Sequence, residues 1–114
     1  MKARTITTSI VFVTAGLSCS QVAMSGVDAA AAKALAKQEG CLKCHGVDKP
    51  KEGKSLKEIA RKHKGKADAQ AIILKQITTG VQIKTKEGKE DEHKIIKTKD
   101  KAAIDNLIAW ILSL

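Results

Sequence analysis

Tyrosine is absent from this sequence, and phenylalanine, tryptophan and proline occur once each, as Phe12, Trp110 and Pro50. Phe12 falls in an N-terminal stretch that reads as a removable leader, so Trp110 alone is left to supply an aromatic core. Past that stretch no run approaches the ~20 apolar residues that a membrane-crossing helix needs. No internal repeat or low-complexity linker divides the chain, which leaves one small domain. Acidic residues are scarce: 12 Asp and Glu stand against 21 Lys and Arg, for a formal net charge of +9. Cysteine is scarce too, with three residues. These shortages exclude a large enzyme, a multidomain receptor and a disulfide-dense toxin. A domain this small has a thin interior and usually needs a disulfide, a metal or a cofactor to hold it. Something other than aromatic side chains must fill the middle.

What is present begins with an export signal. Lys2 and Arg4 make a positive n-region, Ile10 to Leu17 a short apolar h-region, and Ser18 to Ser25 a polar c-region. Cleavage after Ala29, with Val27 at −3, is preferred over cleavage after Ser25, with Ala23 at −3. The stretch from Thr5 to Val27 carries no charge, yet its many Ser and Thr make an uncleaved anchor the weaker reading. The predicted organisation is a cleaved signal peptide over 1–29 and one domain over 30–114, exported, with no stable membrane insertion after cleavage. Cys19 leaves with the leader. Cys41 and Cys44 remain, followed at once by His45.

The remainder reads as helical. Ala29 to Glu39 is alanine-rich and ends at Gly40. A loop with Gly46, Pro50 and Gly53 follows. Ser55 and Glu58 form a capping box before a helix whose apolar face is Leu56, Ile59, Ala60 and His63, closed by Gly65. Asp68 is expected to cap a third helix with Ile72, Ile73 and Ile77 buried, ending at Gly80. Residues 81–97, crowded with charge, are expected to be an irregular loop. Thr98 or Asp100 caps the last helix, where Ile104, Leu107, Ile108, Ile111 and Leu114 make an apolar stripe beside Trp110.

Cys41-Leu42-Lys43-Cys44-His45 is the attachment pattern of a c-type haem. Two thiols add across the two vinyl groups on one side of a porphyrin, which fixes their spacing, and the adjacent histidine can then supply an axial nitrogen. Attachment happens outside the cytoplasm, so leader and motif support each other, and a large flat apolar ring answers the shortage of core. A thioredoxin-like pair would follow a strand in a βαβ unit, and no such strand is evident. A zinc site would want further ligands at short spacing, whereas His63 and His93 lie far off.

The run from Ala34 through Cys41-Leu42-Lys43-Cys44-His45 to Asp48 resembles the start of small bacterial class I cytochromes c. The segment from Gly53 to Gly65 resembles the helix that follows there, and Leu107 to Leu114 resembles their C-terminal helix with its tryptophan. The resemblance covers essentially the whole exported part. It implies an all-α, class I cytochrome c-like fold: four to five short helices around one covalently attached haem c, with the N- and C-terminal helices crossing. It also implies a periplasmic electron carrier, not an enzyme, with Cys41 and Cys44 bound to the haem and His45 as the proximal iron ligand.

The sequence departs from that family in two places. The family's second ligand is usually a methionine before the last helix, but the only methionines here are Met1 and Met24. His93, 17 residues before Trp110, falls close to that position and is the proposed distal ligand. His63, a lysine such as Lys94, or an open site are the alternatives. Bis-histidine ligation would make a low-potential carrier, whereas an open or labile site would suit a haem-based binder or sensor of gases and other small ligands. The second departure is Gly53-Lys54, where the family commonly has Gly-Pro. There the proline carbonyl orients the proximal histidine, and the Lys54 carbonyl is the candidate replacement.

Between Lys43 and Lys66 nine basic residues face three acids. Such a surface near the haem edge would steer acidic redox partners onto the protein. Nucleic acid is a poor candidate partner, because the domain is exported and lacks interleaved aromatics.

Overall fold

The computed structural model describes residues 26–114, so Cys19 and most of the signal peptide expected over 1–29 lie outside the described residues. Helix α1 (Ala29–Gln38) starts at Asp28, whose carboxylate accepts from the Ala31 amide at 3.0 Å. Alanine has the strongest intrinsic helix preference, and here it also lets backbones approach closely. Ala32 and Ala36 are buried against the last helix. At the other end of α1, Gly40 takes φ 79°, a left-handed conformation that turns the chain directly into the one-turn helix α2 (Cys41–Cys44).

Helix α3 (Leu56–His63) opens with both halves of the expected capping box. Ser55 Oγ accepts from the Glu58 amide at 3.1 Å, and the Glu58 carboxylate accepts from the Ser55 amide at 2.8 Å. Its buried residues, Leu56, Ala60 and His63, recur at helical spacing. Helix α4 (Ala69–Thr78) buries Ala69, Ile73 and Ile77, while Ile72 is only half-buried. Asp68 stands at its N-cap, but the side chain makes no capping bond. Its backbone sits at ψ 7°, whereas the capping geometry needs extended backbone.

Residues 81–97 depart from the expected irregular loop. Strands β1 (Gln82–Lys84) and β2 (Glu90–Glu92) pair antiparallel, with Gln82 opposite Glu92, Ile83 opposite Asp91 and Lys84 opposite Glu90. Thr85 and Lys89 close the turn, the Thr85 amide donating to the Lys89 carbonyl at 2.8 Å. Strands of three residues, exposed along almost their whole length, give no readable alternation. Opposite charges at Lys84 and Glu90 add a modest cross-strand attraction.

Helix α5 (Lys101–Ser113) is capped by Asp100, which accepts from the Ala103 amide at 3.2 Å. The Thr98 hydroxyl in turn accepts from the Asp100 amide. Ile104, Leu107, Ile108, Trp110 and Ile111 are buried, and Leu114 lies at the exposed end. Helix α5 packs against α1, α3 and α4 and is the axis of the core. Each fully buried Leu or Ile contributes about 1.5–3 kcal/mol. The α1–α5 pair is pinned at one end by a two-way bond: the Asp28 amide donates to Asn106 Oδ1, and Asn106 Nδ2 donates to the Asp28 carbonyl, both at 2.9 Å. Among the described residues, no helix is long and apolar enough to cross a membrane.

Candidate haem site

Cys41 and Cys44 sit one turn apart on α2, both half-buried and both free thiols. Burial pushes the Cys41 thiol above its ordinary ionisation range, with the Glu39 carboxylate adding to the rise. That is the reverse of the depressed value that makes a dithiol a redox nucleophile.

His45 leaves α2 in extended backbone, its amide still bonded to the Cys41 carbonyl at 2.9 Å. Its Nδ1 lies 2.7 Å from the Lys54 carbonyl. A carbonyl can only accept, so Nδ1 carries the proton and Nε2 is left as a lone-pair donor. The loop between them folds back through the Gly53 amide on the Cys44 carbonyl and the Leu56 amide on the Gly46 carbonyl, both 2.8 Å. Lys51 Nζ adds a bond to the Leu42 carbonyl at 2.7 Å. Gly53 is set by contact: a Cβ there would stand 2.6 Å from Cε1 and 2.9 Å from Nδ1 of His45. Lys54 thus does with its carbonyl what the proline does in the resembled family.

His93 follows β2 directly, its amide donating to the Val81 carbonyl at 2.9 Å. Its Nδ1 donates to the Lys94 carbonyl at 2.8 Å, fixing the same tautomer as in His45. The two imidazole centroids are 6.0 Å apart and the ring planes differ by 29°. His63 lies instead on the buried face of α3, 8% exposed, and its Nδ1 has no hydrogen-bond partner among the described residues.

This donor set fits an iron porphyrin. Neither Nε2 has a protein partner among the described residues. The 6.0 Å between ring centres is of the size that two imidazoles would need to hold one metal atom through bonds of about 2 Å. No group of three or more His, Cys, Asp or Glu side chains that could hold a metal ion occurs among the described residues. Two nitrogens suit a metal whose other positions a porphyrin fills better than a zinc ion held by protein alone.

The helical sandwich, the thiol pair and the oriented histidine define a small class I haem c protein. The Cytochrome c family model matches residues 29–114, and the chain belongs to that family. It is similar to cytochrome c-551 of Pseudomonas aeruginosa, at 38% identity over 48 residues, covering 42% of this chain. The match takes in 46% of that protein, about half the length of the curated relative. The crystal structure of the class 1 cytochrome MtoD from Sideroxydans lithotrophicus ES-1 superposes with a TM-score of 0.74 at 50% identity. It covers 77% of this chain and 97% of that one. The fold is that of a class I cytochrome c with a small two-stranded sheet added, and the cofactor is haem c.

Sequence reasoning did not find the hairpin that carries His93, nor the part played by Glu39. Its carboxylate accepts from the backbone amides of Lys97 and Thr98, 58 and 59 residues away.

Proposed function

We propose that the protein is a periplasmic one-electron carrier, not an enzyme, whose haem iron is held between His45 and His93. The observation that carries this is the facing pair of imidazoles, each with Nδ1 tied to a backbone carbonyl. Haem c, when bound, supplies the one-electron chemistry. The chain's residues do the rest: Cys41 and Cys44 anchor the ring covalently, and the Lys54 and Lys94 carbonyls hold the two imidazoles in the ligating tautomer and raise their basicity. Two imidazoles favour the ferric state more than an imidazole with a thioether does, so the carrier is a low-potential one.

Export rests on the leader read in the sequence. For partners, the support is charge. Every Lys and Arg between Lys43 and Lys66 is exposed, and in the hydrogen-bonded pair of Lys57 with Asp48 the Asp48 carboxyl is held below its usual range. That surface suits acidic redox proteins docking near the haem edge, and exchange with them slows as salt rises.

The test is the optical spectrum of the haem-loaded protein, reduced, before and after CO. Sharp low-spin bands that CO leaves unchanged, and that become CO-sensitive in His93→Ala, are expected. Bands already shifted by CO in the unaltered protein would instead mean an open or labile position, and a gas or small-ligand binder.

A further inference from the structure

We infer that Glu39 is a positioning residue for the second axial ligand, tying the chain that follows His93 to the chain that precedes Cys41. The inference rests on the proposed ligation by His93. Glu39 ends α1 two residues before Cys41 and is half-buried. Its Oε2 accepts from the Lys97 amide at 2.6 Å and its Oε1 from the Thr98 amide at 3.2 Å. One carboxylate thus receives two successive backbone donors that belong to no helix or strand. Bonds to an ionised acceptor are roughly twice as strong as neutral ones.

These bonds are not a cap on α5. That helix is capped by Asp100, and Lys97 and Thr98 lie before it. What they hold is the stretch between β2 and α5. Its other long-range backbone bonds, the His93 amide to the Val81 carbonyl and the Ile96 amide to the Ile77 carbonyl, lead to α4 and to the residue just before β1. Among the hydrogen bonds of the described residues, those of Glu39 alone join this stretch to the segment bearing Cys41, Cys44 and His45. A haem between the two imidazoles therefore has its two sides drawn together by Glu39, and the distance His93 must reach is set partly by this carboxylate.

The experiment compares Glu39→Ala, Glu39→Gln, His93→Ala and Asn106→Ala in the haem-loaded protein. Asn106→Ala breaks the polar tie between the start of α1 and α5, which does not involve the stretch after His93, and serves as a control for general loosening. Three quantities are read: hydrogen exchange at the Lys97 and Thr98 amides, thermal midpoint, and CO affinity of the ferrous form. Glu39→Ala is expected to speed exchange at both amides and to raise CO affinity roughly tenfold. Glu39→Gln, which keeps one acceptor oxygen, should recover part of both effects. Asn106→Ala should lower the midpoint and leave CO affinity alone. If Glu39→Ala speeds exchange and lowers the midpoint but CO affinity stays put while His93→Ala opens the site, the inference is overturned and the ligation stands. If His93→Ala itself leaves CO affinity unchanged, the ligation falls and takes the inference with it.

Discussion

His45 and His93 face one another with ring centres 6.0 Å apart, and each donates its Nδ1 proton to a backbone carbonyl. The carbonyls differ in reach. His45 is held by Lys54, nine residues on and across a folded loop, whereas His93 is held by its own neighbour Lys94. Orientation of the first ring depends on the loop's fold, and that of the second on a purely local bond.

Replacing the second imidazole by a thioether should move the potential. His93→Met is expected to raise the reduction potential by on the order of 100 mV, a fraction of the range axial ligands span. Voltammetry of both forms on one electrode measures it, and an unchanged potential would show that residue 93 is not bound to iron.

Gly53 is the tightest point around the proximal ring. In Gly53→Ala the new methyl would meet His45 Cε1 at 2.6 Å, so the ring or the loop must move, and the Lys54 bond lengthens. Overpacking of this kind costs about 1–3 kcal/mol, read from denaturant unfolding of the haem-loaded protein.

Acid should weaken α3 at its start. Glu58 is held below the ordinary glutamate value of 4.5, chiefly by accepting from the Ser55 amide. A carboxyl depressed in the folded state stabilises it above the unfolded value, and that contribution is lost as pH falls through the folded one. Glu58→Gln can still accept the bond but cannot titrate. Its stability should fall less steeply than the parent's below pH 4.5, as urea unfolding at a series of pH values would show.

His63 offers a different check. Its buried Nδ1 has no partner among the described residues, so a ring without that nitrogen gives up no hydrogen bond made there. His63→Phe is expected to leave stability unchanged or raise it by up to about 1 kcal/mol, with low-spin bands still indifferent to CO. Loss of those bands would make His63 the ligand.

The parts of this fold written locally were legible in the sequence. The capping box of Ser55 and Glu58 spans four residues, and the stripe from Ile104 to Ile111 repeats with the helix, so both read directly. The attachment motif was legible because its chemistry fixes its spacing. His93 was reached only by its place ahead of Trp110 in a resembled family, since its acidic neighbours look like solvated surface. The hairpin that carries it stayed hidden because its strands are short and exposed on both sides. Glu39 stayed hidden for a different reason: a glutamate at the end of an alanine-rich helix looks like solvent-facing charge, and its partners are backbone groups, which have no letter in a sequence.

The N-cap of α1 bears on the proposed export. Asp28 both caps that helix and shares two hydrogen bonds with Asn106 of α5. A leader peptidase cutting after Ala29 would carry Asp28 away, leaving α1 to begin uncapped and Asn106 without its partner. A cut after Ser25 would keep the whole arrangement. Where a mature chain would start is thus a folding question as much as a question of recognition by an export machinery, because four residues of difference at the terminus decide whether the first helix arrives already fastened to the last.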